Sequence, residues 1–279
     1  MKGFLVAGGS VPGTDHTMPG QPGWTNNHDA LTFQNDRNYL IGVVCDGCGS
    51  TSHPEVGSRI GSHLVVNRLS ELMRAGLWET KGNIPGALKV LKEGLVGDIE
   101  KMARMTYGEA YVDQAVYDHF LFTVVGVAMG EEWTAVFSFG DGVYAVNGEA
   151  AVIPAGPGNA PAYLGQCLVP GLMPKEYLHF VAQNILPTKY VQSILIGTDG
   201  VNDLASAADE LLPGKQIPVG PLSQFWTDDK YVKNPDCIRR HLALVNLETI
   251  DESGERPRIK KGLLHDDTTL VVVRKMEGE

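Results

Sequence analysis

The chain changes its hydrophobic rhythm several times, and the changes mark out strands, helices and loops. A short apolar run at residues 3–7 gives way to a Gly-, Pro- and Thr-rich stretch up to residue 28, which predicts an edge strand and a long loop. Apolar runs at 30–33 and 39–45 flank the polar Gln34-Asn35-Asp36-Arg37-Asn38, the signature of a hairpin. Val65, Leu69, Leu72 and Met73 then recur at helical spacing, as do Ile84, Leu88, Leu91, Leu95, Ile99 and Met102, with Gly82 and Pro85 at the break. This predicts an antiparallel helix pair whose apolar stripes cover one face of a sheet. From Phe120 the period is that of strands: 120–129, 134–139 and 143–146 form a meander. Residues 149–190 are a Pro/Gly-punctuated connection with room for short strands, and 193–197 and 268–274 are the remaining strands. Between these, the spacing predicts a short helix over 205–211. A second helix has Asn234 as N-cap, Pro235 as first helical residue, and Ile238, Leu242 and Val245 on its apolar face. Residues 251–261 are polar and loop-like. Neither a fixed-period repeat nor a low-complexity linker interrupts the 279 residues, so the expectation is one α+β layered domain over 1–279.

With 43% hydrophobic residues the chain can bury a full core, and its 23 Lys+Arg against 33 Asp+Glu leave a net charge of −10. That balance argues against nucleic acid as a partner and leaves carboxylates available for cations. The first apolar run is too short for a signal peptide and 120–129 is half a membrane span, so no membrane association and a cytoplasmic location are expected. Four cysteines fit a reducing compartment. Cys45 and Cys48 form a C-x-x-C, but zinc needs a second pair and Cys167 and Cys237 are isolated. A redox dithiol should open a helix rather than close a strand around Asp46-Gly47, so small apolar packing is the reading for Cys45.

More chemistry lies in the residue between those cysteines. Val43-Val44-Cys45-Asp46-Gly47 is a strand that runs into a carboxylate and a glycine turn, and the pattern recurs. Phe139-Gly140-Asp141-Gly142 and Ile196-Gly197-Thr198-Asp199-Gly200 repeat it, and Asp266-Asp267-Thr268-Thr269-Leu270 reverses it. Asp29, in Asn27-His28-Asp29-Ala30, precedes the first strand of the hairpin, so antiparallel pairing would bring it towards Asp46. A single Asp in a turn is ordinarily a satisfied turn residue. Five at converging strand ends concentrate negative charge that cations must offset. Oxygen-only ligation selects Mg²⁺ or Mn²⁺ over zinc, and a pair of such ions about 3.5–4 Å apart activates water for in-line attack on phosphorus.

These motifs, in this order from the first strand to the last, resemble the protein phosphatase 2C family of metal-dependent serine/threonine phosphatases, in its bacterial form. The resemblance implies a β-sandwich of two antiparallel sheets flanked by antiparallel helix pairs, with a binuclear Mn²⁺ or Mg²⁺ centre at one end. It implies that Asp46 bridges both ions and the Gly47 carbonyl ligates one. Asp199 and Asp266 would complete the other shell, Asp29 would orient metal-bound water, and Asp141 with Asp199 would hold a third ion. The implied reaction is attack of a metal-bridging hydroxide on phosphoserine or phosphothreonine of a protein substrate, without a covalent intermediate. Thr123 falls at a strand start that the family uses structurally.

Three positions depart from the family pattern. Trp24 stands where an arginine is usual, His28 replaces a glutamate and could ligate a metal as neutral imidazole, and Cys48 replaces a histidine proposed as general acid in eukaryotic members. His16 and His53 are candidates to replace lost functions. The alternative function is a catalytically weak or inactive phosphatase-like domain that binds or regulates a partner. The missing arginine and glutamate favour it; the packed aspartates argue against it. Residues 203–262 occupy the place of the family's mobile flap and are expected to bear on substrate choice.

Overall fold

The computed structural model describes residues 1–16, 26–251 and 257–276. Two five-stranded sheets, antiparallel throughout, stack face to face. One has the order β1 (Phe4–Val11), β12 (Thr268–Lys275), β9 (Ser193–Gly197), β6 (Gly142–Val146), β7 (Glu149–Ile153). The other has the order β2 (Ala30–Asn35), β3 (Leu40–Cys45), β4 (Val124–Met129), β5 (Trp133–Phe139), β8 (Val181–Pro187). The chain thus builds the first edge of one sheet, crosses to make the other, and returns.

Strand alternation explains the layering. In β3, Leu40 and Val44 point between the sheets, where they meet Val125, Val127, Ile196 and Val271, while Ile41 and Val43 point outwards. The outward face is covered by α1 (Pro54–Arg74) and α2 (Ile84–Tyr107) through Val65, Leu69, Leu88, Leu91, Leu95 and Ile99, the stripes seen in the sequence. Both faces of β3 are therefore buried, which is why it reads as a continuous apolar run. Arg68 on α1 ties the helix pair with two hydrogen bonds to Asp98 on α2, at 2.9 and 2.7 Å. A further helix, α3 (Val112–His119), packs on α2. The outer face of the β1 sheet is covered by shorter helices: α4 (Val201–Ser206), α5 (Gln224–Thr227), α6 (Asp229–Lys233) and α7 (Cys237–Val245). Phe225, Tyr231, Ile238 and Leu242 from these helices bury Ala7, Leu195 and Val272.

Several local expectations shift. The helix expected over 205–211 is largely absent: α4 lies earlier, directly after Gly200, and ends at Ser206, after which the chain turns into a bridge between Leu211 and Pro218. The helix expected from Pro235 starts at Cys237: the Asn234 side chain accepts the Asp236 N–H at 3.2 Å in a local turn, and Asp236 takes the N-cap position. The loop expected over 251–261 includes part of a two-stranded ribbon, β10 (Thr249–Asp251) with β11 (Arg258–Lys260). The strand expected from Phe120 begins at Val124, because Phe122 is diverted into an isolated bridge with Gly47. Helix α3 was not predicted; it buries only Ala115 and Val116, too short a stripe to read. Among the described residues, no helix is long and apolar enough to cross a membrane.

Candidate active site

Antiparallel pairing of β2 and β3 puts Ala30 opposite Cys45, so Asp29 and Asp46 flank the open end of the hairpin. Asp141 sits in the β5–β6 turn, Asp199 just after β9 and Asp266 just before β12. Asp46, Asp141, Asp199 and Asp266 together line one open cleft of about 550 Å³. His16, Gly47, Gly49 and Asn202 complete its floor and rim, and its remaining wall is the 152–163 segment, including Asn159 and Tyr163. Among the described residues, none of 203–262 lines it; those residues belong to the helical cover of the β1 sheet and the β10–β11 ribbon. The wall beside the carboxylates comes from the Pro/Gly connection after β7.

The cleft is held together by backbone groups. Thr123 N–H donates to the Asp46 carbonyl at 2.8 Å, and the Asp46 N–H donates to Thr123 Oγ1 at 3.3 Å. Gly47 N–H donates to the His28 carbonyl at 3.2 Å. A side chain at Gly47 would meet the Pro54 carbonyl oxygen at 2.4 Å, so the turn closes only with glycine. Asp29 is buried and does not line the cleft; its Oδ2 accepts the Thr198 hydroxyl at 2.7 Å.

Two carboxylates outside the predicted site turn out to organise it. Asp267, 1% exposed, accepts Gly13 N–H on Oδ1 and His28 N–H on Oδ2, both at 2.6 Å. Asp203 Oδ2 accepts the N–H groups of His265 and Asp266, at 2.9 and 3.2 Å. The only sequence signals were the doubled Asp266-Asp267 and the placement of Asp203 four residues after Asp199.

Electrostatics follow from this crowding. Burial, then repulsion from Asp29, Asp199, Asp266 and Asp141, pushes the Asp46 carboxyl well above the ordinary range. Burial and Asp199 raise Asp141 to about 6, and burial and Asp266 raise Asp199 to about 6. Asp266 is raised, chiefly by burial. Among the described residues, no Lys or Arg lines the cleft. An oxygen-only donor set whose members repel one another fits a hard divalent cation.

The histidines and cysteines divide differently. His28 is buried, does not line the cleft, and packs its ring against that of His16, tilted by 34° with 4.4 Å between centroids. His53 lies instead against His119, centroids 5.1 Å apart, and is not part of the cleft lining. All four cysteines are free. Cys45 is fully buried and its thiol is pushed up, chiefly by burial. Cys48 packs in the α1–α2 core, donates its N–H to Leu121 O at 2.9 Å, and holds Sγ 3.2 Å from Ser50 Oγ. Trp24 lies outside the described residues.

A profile described as "Protein phosphatase 2C" matches residues 13–227. The chain belongs to the protein phosphatase 2C family. By class it is a protein phosphatase, a phosphoric monoester hydrolase. Solved bacterial structures share the fold at low identity. A mutant of a bacterial serine phosphatase is 15% identical with a TM-score of 0.57, covering 98% of this chain and 99% of that one. The serine/threonine phosphatase Stp1 from Staphylococcus aureus is 14% identical with a TM-score of 0.51, covering 98% and 96%. The serine/threonine phosphatase of S. agalactiae is 12% identical, also at 0.51, covering 98% and 99%. No curated protein matches the sequence.

Proposed function

We propose that this protein phosphatase hydrolyses phosphoserine and phosphothreonine in protein substrates with Mg²⁺ or Mn²⁺ held in the carboxylate cleft. The observation that carries the reading is the convergence of Asp46, Asp141, Asp199 and Asp266 on one cleft where, among the described residues, no Lys or Arg neutralises them. Two ions would be held by Asp46, the Gly47 carbonyl, Asp199 and Asp266, with Asp141 and Asp199 able to take a third. When bound, the ions supply an activated water and neutralise charge on the phosphoryl oxygens. The chain supplies the rest.

Asp46 is held at a strand end by its double link to Thr123, so its carboxylate has little freedom to follow a misplaced ion. Asp29, buried and outside the cleft lining, would act on the site by holding the Thr198 hydroxyl beside Asp199 rather than by touching the attacking water. The 152–163 wall faces the substrate side, with Tyr163 and Asn159 as its polar groups. With no Lys or Arg among the described lining residues, phosphate affinity depends on the ions and on His16. Four free cysteines fit the cytoplasmic setting in which such substrates are met.

The test is release of phosphate from a phosphothreonine peptide with Mn²⁺ or Mg²⁺, with EDTA, and in Asp46→Asn. Metal-dependent turnover lost in the variant is expected. Turnover that survives chelation, or that is unchanged in Asp46→Asn, would overturn the reading. Metal binding without any turnover would favour the phosphatase-like binding module.

A further inference from the structure

His28 occupies a position from which a cleft ligand is expected, yet the fold gives it different neighbours. One donor atom each from His28, His16 and Asp267 lie within 4.8 Å of one another. His16 Nδ1 is 3.0 Å from Asp267 Oδ2, and the two imidazoles overlap at 4.4 Å between centroids. A point above Gly49, where a side chain would begin, lies 3.6 Å from His28 Nδ1 and 3.8 Å from His16 Nε2. Nitrogens of both rings therefore approach the same small space.

We propose that His16, His28 and Asp267 form a second metal site for a borderline divalent transition ion of the Zn²⁺ class, at the His16 edge of the carboxylate cleft, where His16 Nδ1 lies 3.7 Å from Asp266 Oδ1.

Donor chemistry separates the two sites. The four cleft aspartates offer only oxygens and suit Mg²⁺ or Mn²⁺, whereas two imidazoles with one carboxylate suit zinc and its neighbours. The supporting structure is of the kind that metal sites need. Asp267 is fixed by two backbone N–H groups at 2.6 Å, and His28 is locked in the interior, 1% exposed. His16, with a quarter of its side chain exposed, and the exposed Gly49 leave a way in from solvent. Ligation would replace the His16–Asp267 contact by bonds from both residues to one ion, with water in the fourth position. A simple ion pair between His16 and Asp267 would not need the second imidazole packed against it. Such an ion would clip the 13–16 segment to the entry of β2 and the start of β12. The site stands whether or not the cleft hydrolyses phosphate.

The experiment is titration of the full-length chain with Co²⁺, a spectroscopic stand-in for Zn²⁺, in excess Mg²⁺ to occupy the oxygen cleft. One equivalent of Co²⁺ is expected to give the visible band of nitrogen-ligated, low-coordinate cobalt, and Zn²⁺ should displace it. The band should be lost in His16→Ala, keep its intensity in His53→Ala, and persist in Asp46→Asn. His16 is partly exposed and leaves the core intact when truncated; circular dichroism checks this, and His28→Gln provides the second ligand variant. No band in the wild type, or a band unchanged in folded His16→Ala, would overturn the proposal. A band lost only in Asp46→Asn would assign the cobalt to the cleft and overturn it equally.

Discussion

Asp46 and Thr123, 77 positions apart in sequence, are joined by two hydrogen bonds: Thr123 N–H to the Asp46 carbonyl and Asp46 N–H to the Thr123 hydroxyl. The first survives any side chain at 123; the second requires an oxygen there. Thr123→Val keeps the shape of this buried residue and leaves the Asp46 N–H without its acceptor. The expected cost is about 1–2 kcal/mol of stability, the range for a buried donor left unpaired. Because the change acts on the backbone of the proposed bridging carboxylate, the Mn²⁺ concentration giving half-maximal activity should rise, with Thr123→Ser restoring it. Urea denaturation and metal titration of the three proteins read both effects. Equal metal dependence in Thr123→Val and wild type would show that this link does not position Asp46.

The crowded carboxylates make a pH prediction with a definite sign. Asp141 and Asp199 titrate at about 6 in the fold, against 3.8 for the unperturbed group. Between those values the folded chain holds protons that the unfolded chain has released, so stability falls as pH rises through the window. His16 acts in the same direction, since its hydrogen bond to Asp267 raises its pKa and its contribution is lost on deprotonation. In EDTA, the melting temperature should therefore be higher at pH 5 than at pH 7. Saturating Mg²⁺ should remove or reverse the difference, because ions take the place of the protons. Asp199→Asn should flatten the metal-free profile and raise its pH 7 end. A metal-free protein that is more stable at pH 7 than at pH 5 would contradict the mutual repulsion described for the cleft.

What could be read in the sequence was whatever repeated locally. β3 and β9 announce themselves as apolar runs closed by Asp and Gly, so the strand ends, and with them Asp46 and Asp199, were visible without coordinates. The α1 and α2 stripes were equally plain. Asp203 and Asp267 were not read as site-builders because their partners are distant backbone groups: Gly13 is 254 positions from Asp267, and His265 is 62 from Asp203. No local pattern encodes such a contact. The cleft wall at 152–163 was hidden for a related reason. Its Pro and Gly residues mark turns without saying what the turns face, and the resemblance drew the expectation of a flap to 203–262. His28 shows the limit of a position-by-position resemblance: the position is retained, but the packed partners are His16 and Asp267.

The α1–α2 link offers a control in which fold and chemistry should separate. Arg68 of α1 makes paired hydrogen bonds to Asp98 of the neighbouring α2 and is partly exposed. Neither residue lines the cleft. Asp98→Ala is expected to cost about 0.2–1 kcal/mol, less at high salt, as exposed ion pairs do. Phosphatase activity per folded molecule should be unchanged. A fall in activity at constant folded fraction would mean that the helix pair communicates with the cleft, contrary to the independence predicted here.

Two glycines in one turn should respond in opposite ways. At Gly47 a new methyl group would meet backbone on both sides, 2.4 Å from the Pro54 carbonyl oxygen and 2.9 Å from that of His28. Backbone cannot rotate aside as a side chain can, so Gly47→Ala must displace the turn that follows Asp46. The expected cost is about 1–3 kcal/mol, as for overpacking elsewhere. Gly47 is also the proposed carbonyl ligand, so turnover should fall by more than the loss of folded protein explains. At Gly49 the nearest atom to a new methyl is 3.6 Å away, an ordinary contact. Gly49→Ala should therefore fold and hydrolyse phosphate nearly as the wild type does. Urea denaturation gives the folded fraction of each variant, and metal-dependent phosphate release gives its activity. Wild-type turnover in Gly47→Ala would show that the Asp46 turn tolerates displacement and that the Gly47 carbonyl is not a required ligand.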